Sequence, residues 1–267
     1  MGVGIAHRFA ARGAEVMVVD IDMDHAVASV DRVRATLDEA ARRGKLADPR
    51  AAKARLVPAG SVDELPEELA VIVEAIIEDV DAKRAVLVAA EARRPEVLAS
   101  NTSSISIDSL AEPLERPDRF IGMHFFNPVW AMDLVEVIRG SATSDESVTK
   151  TLEIVEFLGM QAAVVNDSPG FASTRLGVLL GLEAIRMVEE GVAQPADIDR
   201  AMELGYRFPM GPLRTGDLVG LDVRLAIAEH LATVYGERFE PPQLLRDMVA
   251  QGRLGKKTGR GFYDWET

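Results

Sequence analysis

The chain has 267 residues, 48% of them hydrophobic and 27% charged, a length that allows two domains, each with its own core. A formal net charge of -13 argues against a nucleic-acid or anionic-membrane partner, because both demand a basic face. The absence of cysteine excludes disulfides, thiol catalysis and cysteine-ligated metals, and the four histidines, His7, His25, His124 and His230, lack metal-ligand spacing, so no metal is expected.

Ile5 and Phe9 have helical spacing, and Gly13 supplies a left-handed cap where that helix ends. Residues 15–20, Glu-Val-Met-Val-Val-Asp, read as a short strand closed by an acid, and Asp24 as the cap of a long helix running to about Arg43. The pattern repeats: a strand over 69–75, a helix over 80–93 and a strand over 97–101. Alternating strands and helices predict a parallel, doubly wound sheet. Two more apolar runs, 120–126 and 134–138, read as strands, followed by a helical stretch from Asp145 and a last strand over 161–165. The turn-rich Asn166-Asp-Ser-Pro-Gly170 marks the boundary between a first domain, 1–166, and a second, 167–267. Beyond it, 171–190, 196–205 and 217–235 carry helical periodicity, which predicts an all-helical domain with apolar stripes enough to pair with a second copy of the chain. No apolar run is long enough to span a membrane and the start of the chain lacks a signal-peptide pattern, so the cytoplasm is the expected compartment.

Asp20 closes the first visible strand, where a dinucleotide-binding α/β fold places the acid that binds the adenosine ribose hydroxyls and repels a 2'-phosphate; that selects NAD over NADP. An Asp after a strand is otherwise a simple turn former. The glycine motif that usually accompanies this acid is mostly missing, because the chain opens at Met1-Gly2 directly on the helix. Gly2 matches only the motif's last glycine, the one that permits close helix-to-strand packing. The expected fold is therefore a Rossmann-type sheet lacking its first strand. The chain reads as a late start within a frame encoding roughly ten to fifteen further residues, and weak NAD binding is expected of it.

Several spaced motifs carry a more specific signal. Ala99-Ser-Asn-Thr-Ser-Ser104, His124-Phe-Phe-Asn-Pro128 and Leu134-Val-Glu-Val-Ile138 are followed by Asp167-Ser-Pro-Gly-Phe171, Met210-Gly-Pro212 and Asp217-Leu-Val-Gly-Leu-Asp222. Gly255-Lys-Lys-Thr-Gly259 and Gly261-Phe-Tyr263 complete the series. In order and spacing this set resembles the NAD-dependent 3-hydroxyacyl-CoA dehydrogenases across essentially the whole chain.

The resemblance implies an oxidoreductase that interconverts a 3-hydroxyacyl-CoA and a 3-ketoacyl-CoA with NAD, working as a homodimer. His124 is implied as general base and Glu136 as the group that orients its ring and balances its charge; imidazole suits the task because its ordinary pKa lies near working pH. Ser103 is implied at the substrate hydroxyl and the nicotinamide, Asn127 at the nicotinamide ribose, and Gly2, Asp20, Glu78, Lys83 and Lys257 at the cofactor. Thr36 and Arg43, seven apart on one helix face, are implied at the CoA moiety. Thr174 stands where the family commonly has an Asn that polarises substrate, and its single hydroxyl lacks the amide's paired donor and acceptor. Each residue also has a plainer reading: a core histidine, a helix-capping serine, a surface charge. Two other functions fit parts of the pattern, a same-fold dehydrogenase of a sugar acid and a non-catalytic remnant serving in interactions.

Overall fold

The computed structural model describes residues 1–266 and resolves two compact units, Met1–Ser168 and a second from Pro169 onward. The first unit opens with helix α1, Gly2–Arg12, which Gly13 ends in the left-handed conformation at φ 104°. Strand β1, Val16–Val19, leads to α2, Met23–Arg42. The cap of α2 is Asp22 rather than the expected Asp24: its extended backbone lets the carboxylate accept the His25 amide, while Asp24 lies in the first turn. Helix α3, Pro49–Ala54, and strand β2, Leu56–Ala59, escape the sequence pattern because Pro58 argues against a strand. Pro58 is tolerated because β2 is an edge strand, where a missing N–H interrupts no ladder.

Next come β3, Val71–Glu74; α4, Val80–Glu91; β4, Val97–Ser100; α5, Ile107–Ala111; and β5, Phe120–Phe125. The unit closes with β6, Leu134–Arg139; α6, Asp145–Phe157; and β7, Gln161–Asn166. These strands form two sheets, β1-β2 and β3-β4-β5-β6-β7. All pairings are parallel except β5 with β6, where the loop over 126–133 is too short for a crossover and the chain reverses direction.

Strands β4 and β5 are buried throughout, covered by a core that includes Ile5, Val97, Ile121, Met123, Phe125 and Val137. A second cluster joins Ala6 and Ala10 of α1 to Val30, Val33 and Leu37 of α2, over Val16 and Val18. Helix α1 therefore packs on both sheets: Ile5 and Phe9 lie on the β3–β4 side, Ala6 and Ala10 on the β1 side.

The second unit comprises α7, Ser173–Glu189; α8, Pro195–Gly205; α9, Pro212–Val219; α10, Leu221–Tyr235; and α11, Gln243–Ala250. The single helix expected over 217–235 is broken at Gly220, whose φ of 104° turns the chain between α9 and α10. Buried Leu182, Ile185, Leu213, Leu221, Leu231 and Leu245 form its core.

Candidate active site

His124 and Glu136 face each other as direct partners in the antiparallel β5–β6 pair, so their side chains emerge on one face of the sheet. The His124 Nδ1 lies 2.9 Å from Glu136 Oε2, with both residues buried. A carboxylate can only accept, so Nδ1 carries the proton and the lone pair sits on Nε2, the tautomer a general base requires. The Phe126 ring, centred 4.6 Å from the imidazole, restricts the ring's rotation.

At the carboxyl ends of β3 and β4 a buried polar network holds the loop after β4. Glu74 accepts the Lys83 ammonium at 2.8 Å and the Ser100 hydroxyl at 2.6 Å, and Lys83 also reaches Glu78 at 3.3 Å. Glu78 in turn accepts the Thr102 hydroxyl at 2.5 Å and the Ser103 and Ser104 amides at 3.0 and 3.2 Å. Burial pushes the Glu78 carboxyl up, but the Thr102 hydroxyl, Lys83 and the Ser103 amide together leave it below its ordinary value. Asn101 accepts the Phe125 amide at 2.9 Å through its side chain, which ties this loop to the end of the strand that carries His124. Ser103 and His124 are thus set on one framework of strand ends.

Asp20, immediately after β1, accepts the Ile21 amide at 2.9 Å and the Ser29 hydroxyl at 2.8 Å. The amide bond is the main reason its carboxyl stays ionised below its ordinary pKa. The amino end of α1 lies beside Ala75, just past β3, where the helix dipole favours a phosphate. The arrangement suits a dinucleotide: an acid for the ribose, a helix amino end for the pyrophosphate, and polar strand ends beyond.

The comparisons with known proteins agree along the whole chain. Residues 1–168 match the family model for the 3-hydroxyacyl-CoA dehydrogenase NAD-binding domain, and 170–265 match the model for its C-terminal domain. A probable 3-hydroxybutyryl-CoA dehydrogenase of Bacillus subtilis is 42% identical, covering 100% of this chain and 94% of that protein. The 3-hydroxybutyryl-CoA dehydrogenase of Bradyrhizobium diazoefficiens is 38% identical, covering 99% and 92%. The crystal structure of (S)-3-hydroxybutyryl-CoA dehydrogenase from Ralstonia eutropha superposes with a TM-score of 0.93 at 41% identity, covering 100% and 96%. The chain belongs to the 3-hydroxyacyl-CoA dehydrogenase family.

As a 3-hydroxyacyl-CoA dehydrogenase it is an oxidoreductase that uses NAD, and several expected site residues take on definite positions. A Cβ at Gly2 would meet Ala75 at an ordinary 3.9 Å, whereas at Gly4 it would fall 2.9 Å from Val129. Lys83, expected at the cofactor, is 1% exposed, with its ammonium paired with Glu74 and Glu78. Asn127 is exposed, on the loop after β5. The Thr36 hydroxyl donates to the Val33 carbonyl at 2.7 Å and accepts from His7 Nδ1 at 2.8 Å, and Arg43, at the end of α2, pairs with Glu39 at 2.6 Å.

In the helical unit, Thr174 is half-buried in the first turn of α7, and Lys257 pairs with Asp222 at 2.6 Å. Two motifs there do structural work. Buried Asp217 accepts the Phe262 and Tyr263 amides and the Trp265 indole, each at 2.9 Å, which anchors the Gly-Phe-Tyr segment. Asp199 accepts the Leu213 and Arg214 amides at 2.8 and 2.9 Å, fixing the start of α9.

Glu74, Ser100 and Asn101 were missed as site-building residues. Glu74 reads as an ordinary strand acid; its signal is an ionisable side chain at the end of an otherwise apolar strand, with a lysine nine residues on.

Proposed function

We propose that the chain oxidises (S)-3-hydroxyacyl-CoA to the 3-ketoacyl-CoA and runs the reverse reaction, with His124 as the proton-transfer residue. The observation that carries this reading is the buried His124–Glu136 pair, whose geometry puts the ring proton on Nδ1 and the lone pair on Nε2, the form a general base requires. Bound NAD supplies the hydride acceptor. As hydride leaves C3, His124 Nε2 removes the hydroxyl proton, and Glu136 stabilises the resulting imidazolium. In reduction, His124 returns the proton. The Ser103 hydroxyl holds the substrate oxygen in line, Asn127 contacts the nicotinamide ribose, and Glu78, itself fixed by Lys83, borders the cofactor as well as holding the Ser103 loop.

Thr36 and Arg43 take the CoA moiety, with Arg43 answering its phosphate charge from the end of α2. Thr174 and Lys257 are assigned to substrate and cofactor by the family resemblance. A short acyl chain is the favoured substrate, as the names of the relatives suggest. Exposed Leu176 and Leu180, one turn apart on α7, with Val219 and Val223 at the α9–α10 corner, support pairing with a second copy through the helical unit. No helix among the described residues is long and apolar enough to cross a membrane, and the cytoplasm is the compartment we assign.

NADH production from (S)-3-hydroxybutyryl-CoA, from a long-chain homologue and from a free sugar acid tests the reading. Activity confined to the acyl-CoA substrates, and faster on the short one, supports it; preference for the sugar acid, or no turnover with NAD bound, overturns it.

A further inference from the structure

The loop over 126–133 carries a tryptophan that the proposed chemistry leaves unused. Val129 holds this loop against α1: it is buried, and a Cβ on Gly4 would fall 2.9 Å from its side chain. The next residue, Trp130, is 42% exposed, and its ring centre lies 6.0 Å from that of His7 at a tilt of 51°. That is the separation of an ordinary aromatic contact, so one part of the indole is packed and the rest is open to solvent. His7 in turn joins the indole to α2, because its Nδ1 donates to the Thr36 hydroxyl at 2.8 Å. An aromatic surface on the loop that follows the His124 strand is thereby tied to a residue assigned to CoA.

The hydrogen bonds at Thr36 decide which part of CoA it can meet. A threonine hydroxyl has one proton and two lone pairs. The proton goes to the Val33 carbonyl at 2.7 Å, and one lone pair takes the His7 proton. The half-buried hydroxyl can therefore accept one more bond and donate none. An ionised phosphate offers only acceptors and does not match it, whereas an amide N–H or an alcohol does. Arg43, seven residues further along α2, lies about 10 Å away at 1.5 Å per residue and carries the charge for the phosphates. The segment of CoA between its thioester and its phosphates is the pantetheine arm, which is neutral and supplies amide N–H groups and a hydroxyl. An indole suits such an arm: it offers a flat apolar face to the methylenes, is held by only two side-chain torsions, and has an N–H for an amide carbonyl.

We propose that Trp130 and Thr36 together seat the pantetheine arm of the substrate, with His7 holding the two in place. The proposal rests on the acyl-CoA reading of the site and assigns one segment of that substrate.

Three thioesters of (S)-3-hydroxybutyrate test it: the CoA, pantetheine and N-acetylcysteamine esters, the last ending just past the first amide. Trp130→Ala should raise KM about tenfold for the first two, leave it within about twofold for the third, and leave kcat with the CoA ester unchanged. Trp130→Phe, which keeps a flat ring, should restore KM to within about threefold of the native value. A rise for the CoA ester alone would give the indole to the adenine and overturn the proposal; an equal rise for all three, or for none, overturns it as well. Free CoA supplies a readout that needs no turnover. It should change the tryptophan fluorescence of the native protein but not that of Trp130→Phe, whose one remaining tryptophan is Trp265. A change that survives the substitution, or no change in the native protein, overturns the proposal, whereas absent turnover with this change intact strikes the catalytic reading alone.

Discussion

The two ends of the nucleotide-binding unit are built to different standards. At the β4–β5–β6 end the strands are buried and hydrogen-bonded on both sides, and the His124–Glu136 pair is set by strand register alone. At the β1–β2 end the strand residues are half-covered, and Asp20 depends on a two-stranded ribbon connected to the rest through α1. On the proposed mechanism the difference separates two tasks: proton transfer would rest on strands paired on both sides, whereas the adenosine end of the cofactor would rest on a packing contact. The largest expected effect breaks only the first. His124→Gln should lower kcat by roughly 10²- to 10⁴-fold while NAD affinity, measured by calorimetric titration, stays the same. Wild-type turnover in the variant would remove His124 from the chemistry.

Lys83 sharpens the contrast because it supports the rigid end without touching the reacting pair. Lys83→Met leaves Glu74 buried without its cation and should cost about 3–5 kcal/mol in urea unfolding of the first unit. A loss below about 1 kcal/mol would mean that the carboxylate finds another partner or a proton. On α1 the glycines give a smaller, paired comparison. Gly4→Ala forces a methyl group into Val129 and should destabilise by about 1–3 kcal/mol, whereas Gly2→Ala, in open contact, should stay within about 0.5 kcal/mol. Equal effects would show that Val129 yields.

In the helical unit the expected effect is a single hydrogen bond. Thr174→Val should reduce turnover roughly two- to tenfold if the hydroxyl polarises substrate, and Thr174→Asn should match or exceed the native rate. Three equal rates at saturating substrate would assign Thr174 to the start of α7 alone.

Periodicity and turn residues were enough to place most helices and strands, because the buried strands are short apolar runs and the helices keep their stripes. What was lost had local causes. Pro58 disguised β2, Gly220 divides a stretch whose apolar period runs on unbroken, and the reversal at β6 depends on loop length and pairing. For the site, the motifs pointed to His124, Glu136 and Ser103, and the structure adds the reason the first two meet: they are cross-strand partners, twelve residues apart. The Glu74–Lys83–Glu78 network was not legible as such, because its members look like ordinary strand and helix charges until the topology buries them. The sequence shows that a glycine is near the helix start, but only the position of Val129 shows that Gly4 is the one under pressure.

The smallest expected effect is a pH dependence at the α1–α2 contact, on the less rigid side of the comparison. His7 is 5% exposed, its Nδ1 donating to Thr36 and its ring 6.0 Å from that of Trp130. Burial, with a further contribution from neighbouring Arg8, holds its pKa below the ordinary 6.5. Between that lowered value and 6.5 the unfolded chain binds more protons than the folded one, so folding stability rises with pH across this interval. The contribution is complete above the unfolded value and is lost as pH falls through the folded one. His25 works in the opposite sense, its pKa raised by the hydrogen bond to Asp22, so wild-type data alone would mix the two. His7→Gln keeps a donor for Thr36 and removes the titration. Urea unfolding of both proteins at about pH 7.5 and about pH 5.5 isolates the term: the wild type should lose more stability on acidification than the variant. Identical losses would mean that His7 takes up its proton as readily in the folded chain as in the unfolded one, and that burial at the α1–α2 contact does not disfavour the imidazolium.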